Sequence, residues 1–267
     1  MSRTLFEEYA EHRAGKRGDE EIGWVLLGVR RETDAVVLAT LPAGRLRDAS
    51  STHVAFNGTA QAVASTIVRQ WNRRLVPLGV VHTHPGSMRH PSDGDLRGDR
   101  DWVGQLRGRE GVFAIGTADA KPGDTPGVLW QPKAGVQCWG RLRLSWYSLR
   151  EGQYKYQPLP VGLTIGPDFA SPLRPVWPAV EAHAERLERL ARQFQKVRFE
   201  PVMAGDRPML EVTIPLADPK SAVRVLLGQD EVRYHLLLEG QELAADQDEP
   251  LVDRGVYLLL AELARRS

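Results

Sequence analysis

Two imidazoles, a hydroxyl and a carboxylate lie in one short stretch of the chain: His82-Thr83-His84-Pro85, then Ser92, then Asp95. The stretch follows the apolar run Val76-Pro77-Leu78-Gly79-Val80-Val81, which predicts a strand over Leu78–His82. In an extended chain residues i and i+2 share a face, so both imidazoles aim at one point and a loop can bring a carboxylate back to it. Two neutral nitrogens and one anionic oxygen are a common ligand set for catalytic zinc, which keeps its fourth position open. Ser92 stands three residues ahead of Asp95, where it can equally cap the helix that follows.

Hydrolysis of an amide by such a centre has three requirements. A metal must acidify water and polarise the carbonyl. A base must take the water's proton and pass it to the leaving amine. A donor must meet the oxyanion of the tetrahedral intermediate. His82, His84 and Asp95 suit the first task and Ser92 the last. The remaining part is a carboxylate that is not a ligand.

His82-Thr83-His84-Pro85, six residues from Gly86 to Pro91, and then Ser92-x-x-Asp95 closely resemble the JAMM motif of the MPN metallopeptidases. In that family the base is an upstream glutamate opening a strand of the form E-x-x-G-x-x-x-G. The counterpart here is Glu21-Ile22-Gly23-Trp24-Val25-Leu26-Leu27-Gly28. Counting back from Gly28 selects Glu21, with Trp24 where the inner glycine usually stands; counting back from Gly23 selects Glu20. The match Val25-Leu26-Leu27-Gly28 favours Glu21. The resemblance implies Zn²⁺ on His82, His84 and Asp95, Glu21 as the base, and Ser92 as the oxyanion donor. It implies a bacterial JAB-type, deubiquitinase-like isopeptidase that cuts after the C-terminal glycine of a ubiquitin-like protein. Activating and conjugating enzymes are the implied companions, in modification systems of which some are antiviral. The fold implied is an α/β, mixed-sheet, cytidine-deaminase-like α-β-α core.

The elements that must position these residues follow from periodicity. Leu5, Phe6, Tyr9 and Ala10 predict a first helix ending near Gly15–Gly18. Strands are expected over 20–29, 35–41, 53–56, 112–115, 128–131 and 136–146, with helices over 59–71 and beyond Asp95. The expected organisation is a metallopeptidase domain over 1–156, a proline-rich linker over 157–178 and a small α+β domain over 179–267. The last reads as helix, two strand pairs (197–203 with 209–214, 222–227 with 232–238) and helix. That order resembles the ubiquitin-conjugating or RWD-like arrangement, and a recruiting role is expected of it.

Bulk composition excludes several classes. The chain has 267 residues, 42% hydrophobic and 26% charged, with a formal net charge of +1. Nothing in that balance draws it to nucleic acid or to an anionic membrane. No apolar run approaches the roughly 18–20 residues of a membrane span. The first residues turn acidic at Glu7-Glu8 before any secretory apolar core forms. The one cysteine, Cys138, fits a reducing compartment, and the expectation is a cytoplasmic protein. Cys138 is expected to be inert packing, and His12, His53, His183 and His235 are taken as structural. His90 reads as a loop surface residue, and Asp93 and Asp99 as helix charges. Three other readings stay open: C-terminal processing of a sulfur-carrier ubiquitin-like protein, a non-catalytic MPN scaffold, and a DNA-associated relative. The specificity loops that would decide among substrates are 42–58 and 117–136.

Overall fold

The computed structural model describes residues 2–44, 48–52, 54–55, 58–121, 127–164 and 166–266. They divide into two compact units, residues 1–58 with 74–169, and residues 59–73 with 170–267. In chain order the elements are α1 (Ser2–Ala14), β1 (Gly23–Arg30), β2 (Ala35–Pro42), α2 (Thr59–Trp71), β3 (Val76–Thr83), α3 (Asp93–Val103) and β4 (Glu110–Thr117). Then come β5 (Trp130–Lys133), β6 (Val136–Trp139), β7 (Leu142–Arg150), β8 (Gln157–Pro158), a 3-10 turn (Ser171–Val176) and α4 (Trp177–Gln193). The chain closes with β9 (Arg198–Ala204), β10 (Arg207–Pro215), β11 (Ala222–Leu227), β12 (Val232–Leu238), β13 (Gln241–Ala244) and α5 (Val252–Arg266).

The first unit is built on a mixed sheet ordered β2-β1-β3-β4-β7-β6-β5, with β8 added beside β7. Its one parallel pair among the described residues is β3 with β4. A parallel pair requires a crossover, and α3 supplies it. The loop entering α3 must therefore leave from the carboxyl end of β3, where His82 and His84 lie. Alternation sorts the faces. Trp24, Leu26, Val81, Ala114 and Trp146 pack with Leu5, Phe6 and Tyr9 of α1. Each fully buried side chain of this kind stabilises by roughly 1.5–3 kcal/mol. The opposite face carries His82, Ile115 and Ser145 in register, as it does Val80, Phe113 and Tyr147. Two glycines permit close strand approach. A Cβ on Gly28 would fall 2.0 Å from the Val36 carbonyl oxygen, and one on Gly79 would fall 1.6 Å from that of Val112.

Several expectations are corrected. The strand expected over 136–146 is two strands, folded back at Gly140, whose φ of 57° suits a tight hairpin turn between Trp139 and Leu142. Of the strand expected over 53–56, Val54 forms only an isolated bridge with Ala49, and residues 53 and 56 lie outside the described residues. Within the proline-rich stretch, which reads equally as a linker or an irregular crossover, Leu159, Val161 and Phe169 are tied to the first unit. Leu159 N donates to the Trp146 carbonyl at 3.0 Å, Phe169 N donates to that of Leu38 at 2.9 Å, and Leu159 and Val161 pack on the core.

The second unit is an antiparallel sheet ordered β13-β12-β11-β10-β9, with α4 running from Trp177, two residues earlier than expected. The short strand β13 is an addition to the expected four. Helix α2 counts with this unit by packing, not with the residues around it in sequence. Its Gln70 side chain donates to the Val197 carbonyl at 2.9 Å and accepts from Phe199 N at 3.2 Å. One amide thus occupies the outer edge of β9 as a strand residue would. Among the described residues no helix is long and apolar enough to cross a membrane.

Candidate metal centre

His82 and His84 stand two apart at the end of β3 and are both buried. Their Nε2 atoms are 3.2 Å apart. Asp95, in the first turn of α3, brings Oδ1 to 3.2 Å from His82 Nε2 and Oδ2 to 3.5 Å from His84 Nε2. Donors held at about 2.0–2.1 Å by a tetrahedral ion lie roughly 3.3–3.4 Å from one another. The two imidazole nitrogens stand close to that spacing, and Asp95 reaches each of them with a different carboxylate oxygen. The tautomer is suited as well. His84 Nδ1 is 2.8 Å from the Met88 carbonyl oxygen, which accepts only if Nδ1 carries the hydrogen, so Nε2 presents its lone pair to the common point. The His82–His84–Asp95 group can therefore hold a metal ion.

Electrostatics match this arrangement. Burial alone would raise the Asp95 carboxyl, but hydrogen bonds from His82 and His84 overcome it and hold Asp95 well below the usual carboxylate range. Burial disfavours a charged His84. The bonds to Asp95 and Met88, with the charges of Asp95 and Glu21, outweigh it and raise its pKa. Without a cation, protons are drawn to the point where the donors meet.

Strand register places Glu21. Gly23 pairs with His82, and the pairing continues beyond the ladder, with Thr83 N donating to the Ile22 carbonyl at 2.9 Å and Ile22 N to Thr83 Oγ1 at 3.0 Å. Glu21 therefore stands opposite His84 and on its face, and Gly23 leaves room beside His82. Glu21 is buried, and its N–H is held by the Ser50 carbonyl at 2.7 Å. Glu20 points the other way and pairs with Arg17 at 2.5 Å. Trp24 lies on the α1 face, fully buried, with its indole N–H bonded to Glu8. A tryptophan at this position thus takes no space from the metal side. Thr83 also turns from the metal.

Ser92 is the N-cap of α3 in a reciprocal capping box. Its Oγ accepts from Asp95 N at 3.1 Å and donates to Asp95 Oδ2 at 2.7 Å, while Ser92 N donates to the same oxygen at 2.6 Å. The cap thereby orients the third ligand. Asp99 is not the surface charge expected from its sequence context. It accepts from the Tyr156 hydroxyl at 2.6 Å, and burial pushes its carboxyl up to about 7. The spacing of four from Asp95 was the available signal, since such residues share a helix face. His90 is exposed and no ligand, but its Nδ1 is 3.0 Å from the Tyr147 hydroxyl. Tyr147 and Tyr156 carried no motif and were missed.

Cys138 is buried, and burial raises its thiol pKa. His12 Nε2 lies 2.8 Å from the Glu20 carbonyl oxygen, and His183 Nε2 lies 3.1 Å from that of Gly228. His53 and parts of both specificity loops (45–47, 56–57 and 122–126) lie outside the described residues.

No curated protein matches the chain. Residues 2–131 match the family described as prokaryotic homologs of the JAB domain. They contain Glu21, both histidines, Ser92 and Asp95, so residues 2–131 match a JAB domain with the metal-centre residues in place, consistent with the JAMM/MPN family.

Proposed function

We propose that the first unit is a zinc-dependent peptidase or isopeptidase that hydrolyses the bond after the C-terminal glycine of a ubiquitin-like protein. The observation that carries this reading is the convergence of two imidazoles and a carboxylate beside a separate buried carboxylate, in the stretch that matches the JAB family. Zinc held by His82, His84 and Asp95 would supply an acidified water and a polarised scissile carbonyl.

The protein's own groups supply the rest. Glu21 takes the proton of the attacking water and delivers it to the departing amine nitrogen, leaving a carboxylic acid and a free amine. Its burial keeps bulk water from competing for that proton. Ser92 Oγ continues to accept from Asp95 N and turns its own hydrogen from Asp95 Oδ2 to the developing oxyanion. The capping role and the catalytic role use different sides of one hydroxyl.

A substrate-positioning role for the second unit belongs to the same reading. An antiparallel meander between helices α4 and α5 supports it. With Cys138 the one thiol and outside that unit, the unit carries no thioester. The test uses purified protein and a ubiquitin-like substrate extended beyond its terminal glycine. Cleavage that stops on chelation and returns with zinc is expected; cleavage unaffected by chelation would overturn the reading.

A further inference from the structure

We propose that Tyr147 and Tyr156 are positioning residues of the metal centre, bracing the 85–91 loop and helix α3 so that Asp95 meets the two imidazoles. This inference rests on the metal-binding reading of His82, His84 and Asp95. His82 lies in β3 and His84 directly follows it, its N–H still held by the Gly116 carbonyl at 2.8 Å, so extended geometry fixes their spacing. Asp95 belongs to a different element and is reached through a loop outside any sheet ladder. Its alignment must come from ties made along the way.

Alongside His84 Nδ1 on the Met88 carbonyl and Arg89 on Asp119, each at 2.8 Å, two phenols supply ties of their own. The Tyr147 hydroxyl donates to the Arg89 carbonyl at 2.7 Å and is 3.0 Å from His90 Nδ1. It thus holds the loop just before the Ser92 cap. The Tyr156 hydroxyl donates to Asp99 Oδ2 at 2.6 Å, one helical turn beyond Asp95. Beside it the Arg100 guanidinium lies over the Tyr154 ring, 4.2 Å from the centroid. The segment after β7 therefore grips two successive residues of α3.

The two phenol rings are packed together, with centroids 6.0 Å apart, and Tyr156 stands edge-on to Phe113 at 5.7 Å. Tyr147 pairs with Phe113, and Phe113 with Val80, two residues before His82. The strand holding two ligands and the helix holding the third are thus joined through one aromatic cluster. The hydrogen bond holds Asp99 against Tyr156, and burial there pushes its carboxyl up to about 7. Both tyrosines lie beyond residues 2–131 of the family match, so this part of the support comes from outside the matched stretch.

The test measures zinc affinity of the full chain by competition with a chelating dye, alongside the thermal midpoint of each metal-free protein. Tyr147→Phe and Tyr156→Phe keep the rings and remove the ties. Each is expected to weaken zinc binding by about 10–100-fold, as loss of an outer-shell partner does, beyond any change in the metal-free midpoint. Asp99→Asn keeps an acceptor for Tyr156 and should bind zinc as the wild type does, whereas Asp99→Leu should match Tyr156→Phe. This Asp99 pair carries the test if a tyrosine variant fails to fold. Wild-type zinc affinity in Tyr147→Phe, Tyr156→Phe and Asp99→Leu would overturn the brace alone. A wild-type protein that takes up no zinc would overturn the metal reading and the brace with it.

Discussion

In the second unit Arg224 lies between two carboxylates, 2.5 Å from Glu211 and 3.0 Å from Glu242, and His235 Nδ1 meets Glu242 at 3.1 Å. Arg189 of α4 meets Asp253 of α5 at 2.8 Å. Each of these acids faces a base, and the pairs link neighbouring strands and helices. In the first unit Asp95 is met by two ring nitrogens and a serine, and its two oxygens help to define a point that a small cation fits. Both arrangements are compact and polar. The lesson is in their direction: charges that close on each other support a fold, whereas donors that converge on a shared point can bind something else.

That contrast can be broken first at the ligands. His82→Ala or Asp95→Ala should reduce bound zinc from about one equivalent to none, read by elemental analysis, because the remaining donors are two where a structured site uses three. Next in size, Glu21→Gln should keep zinc and lose about 10²–10⁴-fold in turnover, the contribution of a positioned base. Arg224→Met in the second unit should lower stability by about 1–2 kcal/mol, between the worth of exposed and of buried pairs. It should leave zinc content unchanged; loss of zinc in that variant would erase the distinction between the two networks.

A smaller effect comes from pH. In metal-free protein the Asp99 pKa is raised from 3.8 to about 7, so the folded chain binds this proton more tightly than the unfolded chain. Its contribution to stability is full below about pH 4 and declines as the pH rises through about 7. Asp95 has the opposite sign, because its pKa is lowered. Its contribution is present above its ordinary value of 3.8 and declines as the pH falls below it. Denaturant titrations of Asp99→Asn against wild type should therefore diverge between pH 4 and 7 and show the wild type losing ground as the pH rises.

How much of this was legible beforehand varies with the range of the interaction. His82, His84, Ser92 and Asp95 could be read because strand alternation and a cap signal are local rules. Helix α2 was delimited at Thr59–Trp71 for the same reason, by its apolar period. Its packing with residues 170–267 was not legible, since an amphipathic face does not name its partner. Glu21 over Glu20 is a choice of register: with Gly23 paired to His82, Glu21 falls on the face of His84 and Glu20 does not. Asp99 was misread because a charged helix residue is usually solvated, and its partner Tyr156 lies 57 residues away. The Gly140 turn was missed because Cys138-Trp139 and Leu142 are both apolar enough to read as one strand.

The most direct test compares Glu21→Gln with Glu20→Gln on one extended ubiquitin-like substrate, with zinc content measured in each sample. The expected result is one zinc in both proteins, cleavage by Glu20→Gln at the wild-type rate, and none detectable by Glu21→Gln. Cleavage by Glu21→Gln at the wild-type rate, with zinc bound, would contradict the assignment of a separate carboxylate base on which the proposed chemistry depends.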